Sequence, residues 1–362
     1  MKICHITTVH KASDLRIFHK QCCSLQKAGF SVNLIAPNID KQSLKGVRII
    51  GLKPKKKNRL YRIFKLSRIA YKLALETKAD IYHFHDPELL RIGLKLIKKG
   101  KKVIYDSHED LPRQILTKHW INPFLRNCIS FLIEKYENRA ARKMSAVIGA
   151  TSHITQRFLK INKLCINVNN FPIISEFKET RNEKTNNFIV YTGGISKQRG
   201  IVELIKAIEK TEIKLLLAGE FLDPKIEIEL KVLEGWKKVN YLGFIKRSEI
   251  SNLYEKANIG IVTLHPALNY IDSLPVKMFE YMAAGIPVIA SNFQKWKEII
   301  DFHNCGITVD PNDPNEIKQA IDYITSNPVE ANKMGENGMK AVKEIYNWSI
   351  EEKKLLKLYK SL

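Results

Sequence analysis

Residues Asp272 to Ser291 read DSLPVKMFEYMAAGIPVIAS, and this stretch narrows the possible folds more than any other part of the chain. Ser273 is a residue type that caps helices. Pro275 falls in a first turn, where its missing N–H costs nothing, and Gly285 stops a helix that runs from Val276 to Ala284. Pro287 then leads into Val288, Ile289 and Ala290, a short apolar run of the kind that forms a parallel strand covered on both faces. A helix feeding a buried strand is one unit of a layered α/β sheet. The helix start carries the positive end of the dipole, so the amides from Ser273 through Leu274 to Val276, around Pro275, are expected to hold an anion such as a diphosphate. Glu280 returns to the same helix face, placed to accept two hydroxyls of a ribose, and Asp272 can reach a hydroxyl beyond the phosphates.

The chain upstream repeats the pattern. Phe188 to Thr192 reads as a strand, followed by the loop Gly193-Gly194-Ile195-Ser196-Lys197-Gln198-Arg199-Gly200 and a helix through Ile208. Glycines let the backbone approach phosphate closely, and Arg199 supplies charge. Further strands are expected at Lys214 to Gly219, Val239 to Gly243 and Asn258 to Leu264.

The acidic pair Asp272 and Glu280, together with the run Ala-Ala-Gly-Ile-Pro-Val-Ile-Ala-Ser, resembles the donor-binding signature of retaining glycosyltransferases of family 4, especially those that assemble bacterial surface polysaccharides. The resemblance implies an α/β chain of the GT-B fold, with two Rossmann-like domains, a cleft between them and a C-terminal helix crossing back to the first domain. It implies transfer of a sugar from a UDP or GDP sugar to an acceptor hydroxyl, with no cofactor and no metal. Gly243, Phe244 and Ile245 would lie against the base, Glu280 would hold ribose, and Arg199, Lys277 and the amides at the helix start would stabilise the diphosphate. Asp272 and His108 would orient the sugar, the leaving phosphate helping to deprotonate the acceptor. The family usually has Glu where Asp272 stands and Arg where Gly194 stands, so one expected cation is missing. A UDP-sugar epimerase of the same fold, or a non-catalytic donor-binding subunit, would share these nucleotide contacts.

A chain of 362 residues has length for two cores. The expected division is a first domain over 1–170, a linker over 171–187, a second domain over 188–346 and a crossover helix over 347–362. The charge of +23 is uneven: residues 1–170 hold 34 Lys and Arg against 11 Asp and Glu, and the remainder hold 26 of each. The first half is therefore expected to meet something anionic. No recognition helix or base-stacking motif points to nucleic acid. The six cysteines show no C-x-x-C pair, which fits reduced thiols in a cytosolic protein. Lys2, Cys4 and His5 read as a strand and not as a signal peptide, and no apolar window spans a bilayer.

In this half, strands are expected at Lys2 to Thr8, Val32 to Ala36, Asp80 to Phe84, Val103 to Asp106 and Met144 to Thr151, with helices at Leu15 to Ala28 and Asn122 to Lys143. The loop before the first helix lacks glycine, and its motif of His10, Asp14, Arg16 and Lys20 resembles a polysaccharide-assembly subgroup. That resemblance points to an acceptor phosphate, a solvated helix face being the plain alternative. His85 and Asp86 are expected in a loop on the acceptor side. His83 and His85 also have the H-x-H spacing of metal ligands, but the sequence offers no further cluster that closes such a site. Lys55, Lys56 and Lys57 run into a helix carrying Arg62, Lys65 and Arg68, interleaved with Leu60, Ile63 and Phe64. This reads as a cationic segment lying on an anionic membrane surface, which places the chain peripherally on the inner face of the cell membrane with a polyprenyl diphosphate-linked saccharide as acceptor.

Overall fold

The computed structural model describes residues 1–55, 58–118, 120–178 and 187–362. Its chain divides into two compact units, Met1–Asn170 with Trp348–Leu362, and Phe171–Asn347.

The first unit holds an eight-stranded sheet: β1 Lys2–Ile6, β2 Ser31–Pro37, β3 Gln42–Leu44, β4 Val47–Leu52, β5 Ile81–Phe84, β6 Lys102–Ser107, β7 Ala146–Gly149 and β8 Cys165–Asn167, in the order β3-β4-β2-β1-β5-β6-β7-β8. Every pairing is parallel except β3 with β4, which form a hairpin through Lys45 and Gly46, both at positive φ. Parallel strands need crossovers, and helices supply them: Leu15–Cys22 continuing as Cys23–Lys27 after β1, and Ser67–Glu76 before β5. The strand order reverses between β1 and β5, and in open parallel sheets the carboxyl ends of the strands at such a reversal are where ligands bind.

The second unit repeats this plan with six parallel strands: β9 Phe188–Thr192, β10 Lys214–Ala218, β11 Val239–Gly243, β12 Ile259–Val262, β13 Val288–Ser291 and β14 Gly306–Val309, ordered β11-β10-β9-β12-β13-β14. Here the order reverses between β9 and β12. The loops leaving those strands touch: a Cβ on Gly200, which sits at φ +68°, would stand 1.9 Å from the Thr263 carbonyl oxygen, and His265 N–H donates to Gln198 O at 2.9 Å. Only glycine fits there.

Two boundaries differ from the sequence reading. Ser273 does not cap the helix, which spans Val276–Ala283 with Pro275 as its cap residue. Ser273 belongs to the preceding turn, its N–H and its hydroxyl both donating to Tyr270 O. Residues 171–178 are not a free linker, because Phe171 and Phe177 are buried in the second unit's core, while 179–186 lie outside the described residues. The helix Trp348–Ser361 groups with the first unit: Trp348 Nε1 donates to Ser24 Oγ at 2.9 Å and Glu351 accepts from Asn169 N–H at 2.9 Å.

The basic segment is helical from Arg59 to Glu76, with Lys55, Lys65 and Arg68 exposed. Arg62 differs, its Nε lying 3.3 Å from the Glu88 carboxylate, and Lys56 and Lys57 fall outside the described residues. No helix among the described residues is long and apolar enough to cross a membrane.

Replacing Trp348 with Ala should destabilise the first unit by about 3–5 kcal/mol, the cost of a large aromatic cavity. Urea unfolding followed by a signal from that unit reads this directly. An unchanged midpoint would mean that the C-terminal helix adds nothing to the first unit.

Candidate functional site

In the second unit the chemistry gathers at the β9/β12 reversal. Glu280, fully buried on the helix after β12, is held by three donors: Arg247 Nη1 at 2.5 Å to Oε1, and Lys277 Nζ at 2.8 Å and Tyr254 OH at 3.2 Å to Oε2. Arg247 also reaches Glu176 at 2.6 Å. Burial would lower the Arg247 pKa, but Glu280 and Glu176 raise it. Tyr254 OH meets Thr192 Oγ1 at 2.8 Å, and Thr192 N–H donates to Tyr281 OH at 3.2 Å. The acidic residue is thus tied to the last residue of β9, immediately before Gly193 and Gly194. Arg199 closes this loop. Its Nε is buried without a hydrogen-bond partner, and its Nη1 lies 3.2 Å from the position a Cβ on Gly193 would occupy.

Glu280 is therefore a charge partner within the protein, which the spacing with Ser273 did not reveal, and Lys277 is engaged with it through an i,i+3 pair. Asp272 is part-exposed and lies 3.1 Å from Lys295 Nζ. The Ser273 amide is bonded to Tyr270 O, so the intrahelical vacancies at this terminus belong to Val276 and Lys277. Leu274 packs against the second unit's core. Gly243, at φ +63°, ends β11, the Phe244 ring is exposed and Ile245 packs against the core. Arg247, Tyr254 and Lys295 are the residues that the sequence reading missed.

In the first unit the β1/β5 reversal collects a different set. Asp86 Oδ2 accepts from Thr7 Oγ1 at 3.0 Å and Thr8 N–H at 2.6 Å, which fixes the loop after β1 against the loop after β5. His10 lies 3.4 Å from Asp14 and 3.6 Å from Asp86. Asp14 also caps the following helix by accepting from Ile17 N–H at 2.9 Å. Arg16 and Lys20 do not face an acceptor, nor are they a solvated stripe. Arg16 is buried, with Nη2 at 2.8 Å and Nε at 3.2 Å from the two oxygens of Asp106 and Nη1 donating to Val168 O. Lys20 is 0% exposed and donates to Asn170 Oδ1 at 2.6 Å. Both cations are consumed in holding the end of β8 against the first helix.

Beneath this loop lies a linear chain of hydrogen-bonding groups. His108 Nε2 stands 3.1 Å from His85 Nδ1, His85 Nε2 2.9 Å from His5 Nδ1, His5 Nε2 3.3 Å from Tyr359 OH, and Tyr359 OH 2.6 Å from His83 Nδ1. Tyr359 has one proton to give. Donated to His83 Nδ1, it leaves His5, His85 and His108 each donating through Nε2 to the next group, and His108 Nδ1 becomes the acceptor atom at the outer end, while His83 Nε2 at the inner end has no hydrogen-bond partner. This requires neutral rings. Burial drives His5 and His85 well below the ordinary value of 6.5, and burial also lowers His83.

The same atoms have metal-ligand spacing. His85, Asp106 and His108 form one group of three and His5, His83 and His85 another, so Asp106 and His108 supply the neighbours that the H-x-H pair lacked in the sequence. Asp106 Oδ2, however, already accepts from Gln21 Nε2 at 2.7 Å as well as from Arg16. A divalent ion would compete with both and lie beside a guanidinium, whereas the hydrogen-bonded chain uses the existing partners. Burial would raise the Asp106 pKa, but Arg16 and His108 hold it well below the usual carboxylate range.

These groups set a pH dependence. Below about pH 6.5 the unfolded chain binds protons at His5, His83 and His85 that the folded unit refuses, so stability falls as pH falls. His10 behaves in the opposite sense, since Asp14 and Asp86 outweigh its burial and raise its pKa; its contribution is complete below about pH 6.5 and is lost only as pH rises above that. The net uptake on unfolding below that pH is thus up to three protons, each worth about 1.4 kcal/mol per pH unit. Denaturant titrations of the first unit between about pH 7.5 and 5.5 should show a falling midpoint; a rising one would mean that the buried rings are charged.

Two family models match the chain, "Glycosyltransferase Family 4" over residues 16–164 and "Glycosyl transferases group 1" over 173–341. An uncharacterized glycosyltransferase of Methanocaldococcus jannaschii is 29% identical over 177 residues, 48% of this chain and 44% of that one. Among solved structures, the sucrose-phosphate synthase of Thermosynechococcus elongatus superposes with a TM-score of 0.79 at 18% identity, covering 99% of this chain and 98% of that one. HepE of Anabaena, solved with UDP and glucose, gives 0.75 at 14% identity over all of both chains. With each half matched by a glycosyltransferase model and the whole sharing the two-sheet fold of these structures, the chain belongs to the GT-B glycosyltransferases, a family 4 domain followed by a group 1 domain.

Proposed function

We propose that the protein transfers a sugar, with retention of configuration, from a nucleoside diphosphate sugar to a hydroxyl of a lipid-linked saccharide in the synthesis of a bacterial surface polysaccharide. The observation that carries this reading is the network at the β9/β12 reversal: a buried carboxylate, Glu280, wired to the end of β9, beside a glycine loop whose Arg199 Nε has no partner. A ribose diol would bond to Glu280 in competition with Lys277, releasing an ammonium toward the diphosphate. The Val276 and Lys277 amides and Arg199 would carry the remaining phosphate charge, which grows as the glycosidic bond breaks. Asp272, steadied by Lys295, would take a sugar hydroxyl, and the exposed Phe244 ring would cover the base. His10, Asp86 and His108 would serve the acceptor side of the first unit. HepE, of the same fold and solved with UDP and glucose, favours UDP as the carrier. None of these contacts needs a metal.

The test is a thermal-shift and calorimetric titration with UDP, GDP, ADP and UDP-glucose, with and without EDTA. A selective shift insensitive to EDTA is expected. Arg199→Gln should weaken binding about 10- to 100-fold, the worth of one charge-assisted contact. Because Glu280→Gln disturbs a buried ion pair, its melting temperature must be read alongside its affinity. A folded Arg199→Gln protein with unchanged affinity would overturn the assignment. Proton NMR of the glycoside product should show the donor's anomeric configuration, and inversion would remove the retaining mechanism.

A further inference from the structure

The helix Pro123–Ala141 is built inside out. Its inward side is small and polar: Ser130 Oγ donates to Pro112 O at 2.8 Å, and the buried Glu137 accepts from Tyr105 OH and Arg157 Nη2, each at 2.6 Å. Its outward side is apolar and aromatic. Phe124 is 74% exposed, Leu132 64%, Phe131 55% and Leu125 52%, with Tyr136 following and Trp120, 80% exposed, just before the helix. At helical spacing these residues form one stripe, where a soluble surface helix would carry charge. Apolar patches of this extent mark an interaction surface.

The stripe changes character along its length. Beyond Phe131 and Leu132 the exposed positions become Lys135, Arg139, Arg142 and Lys143. Lys135 Nζ sits 4.4 Å from the centroid of the Phe131 ring and Lys118 Nζ 5.7 Å from that of Trp120. The basic helix begins near Lys118, whose pKa is lowered by burial and then by the Arg59 charge, and its Leu60 and Phe64 are themselves exposed. We infer that this face of the first unit docks on an anionic lipid bilayer, with Trp120, Phe124, Leu125, Phe131 and Leu132 entering the acyl boundary and the following cations meeting lipid phosphates. Aromatic and leucine side chains at the apolar end, with lysine and arginine at the other, match the two layers of a membrane interface. A second copy of the chain fits less well, because a two-fold contact of this face with itself would bury its cations with no exposed carboxylate on the stripe to pair them.

The inference does not depend on which sugar nucleotide is used. The full chain is to be sedimented with vesicles of phosphatidylcholine alone and of phosphatidylcholine with phosphatidylglycerol, the wild type beside Phe131→Ser/Leu132→Ser and Arg139→Gln/Arg142→Gln. Binding is expected only to the anionic vesicles. The apolar double substitution should abolish it, and the charge double substitution should weaken it about 10-fold or more at low salt. Trp120 emission should be quenched by brominated acyl chains, a signal absent from Trp120→Phe. These side chains are exposed, so melting temperatures and nucleotide shifts should not change. Vesicle binding that survives Phe131→Ser/Leu132→Ser would overturn the inference. So would a concentration-dependent dimer that this variant dissociates, with no vesicle binding by the wild type. Vesicle binding without any nucleotide shift would instead count against the proposed function and leave the docking face standing.

Discussion

Two parallel strands cannot be joined by a hairpin, and most of what is specific about this protein follows from that constraint. Each crossover brings a helix over the sheet and delivers the chain to the same edge, so loops accumulate at the carboxyl ends of the strands. Where the strand order reverses, the two neighbouring strands send their chains off in opposite directions across the sheet. The first unit reverses between β1 and β5, the second between β9 and β12. Two densely paired buried carboxylates, Asp106 and Glu280, take part in the networks at these two places. Thr7, Thr8 and Asp86 fasten the loops at the first, while Gly200 lets them meet at the second.

Both places face the same electrostatic problem. A group that must act on a charged ligand has to be held rigidly, and rigidity near the sheet means burial. A buried charge survives only when paired and hydrogen-bonded. The two units answer alike. Asp106 takes Arg16 and Gln21, and Glu280 takes Arg247, Lys277 and Tyr254. In each case the carboxylate is anchored to an arginine from a different element, which makes the pairing a statement about tertiary structure as much as about chemistry. The histidine chain of the first unit solves the problem in another way. It removes the charge and keeps only the direction of its hydrogen bonds, with Tyr359 of the last helix fixing that direction.

The alternation of strand and helix was legible because apolar runs such as Ile81–Phe84 and Val288–Ser291 are continuous and bounded by turn residues. β3 and β4 were not, since Gln42–Leu44 is a short polar edge strand whose only signal is the Lys45-Gly46 turn. β14 escaped for a similar reason, being four residues that begin with glycine. In the site, Glu280 stood out through its motif, but its engagement did not. Arg247 is 33 residues away in sequence, and nothing local marks it. Arg16 and Lys20 were misread because two cations at i and i+4 look like a solvated face. Their acceptors, Val168 and Asn170, lie about 150 residues downstream and appear only when β8 reaches the first helix. Ser273 has the composition of a cap but is used by the preceding turn.

The helix Pro123–Ala141 shows most clearly where periodicity stops being informative. A repeating pattern establishes that a helix has two faces, and ordinary reasoning assigns the apolar one to the core. Here that assignment fails, because the inward face is chosen by partners with stronger claims. Glu137 is needed beside Tyr105 and Arg157, and once its carboxylate is buried and bonded the rotation of the whole helix is set. Phe124, Leu125, Phe131 and Leu132 are then carried outward with no core to enter. Turning the helix over would take Glu137 away from both Tyr105 and Arg157 and leave the Arg157 guanidinium, among the described carboxylates, only its 3.7 Å contact with Asp110. The apolar stripe is stable on the surface as long as the polar lock beneath it holds, which leaves it available to a surrounding less polar than water.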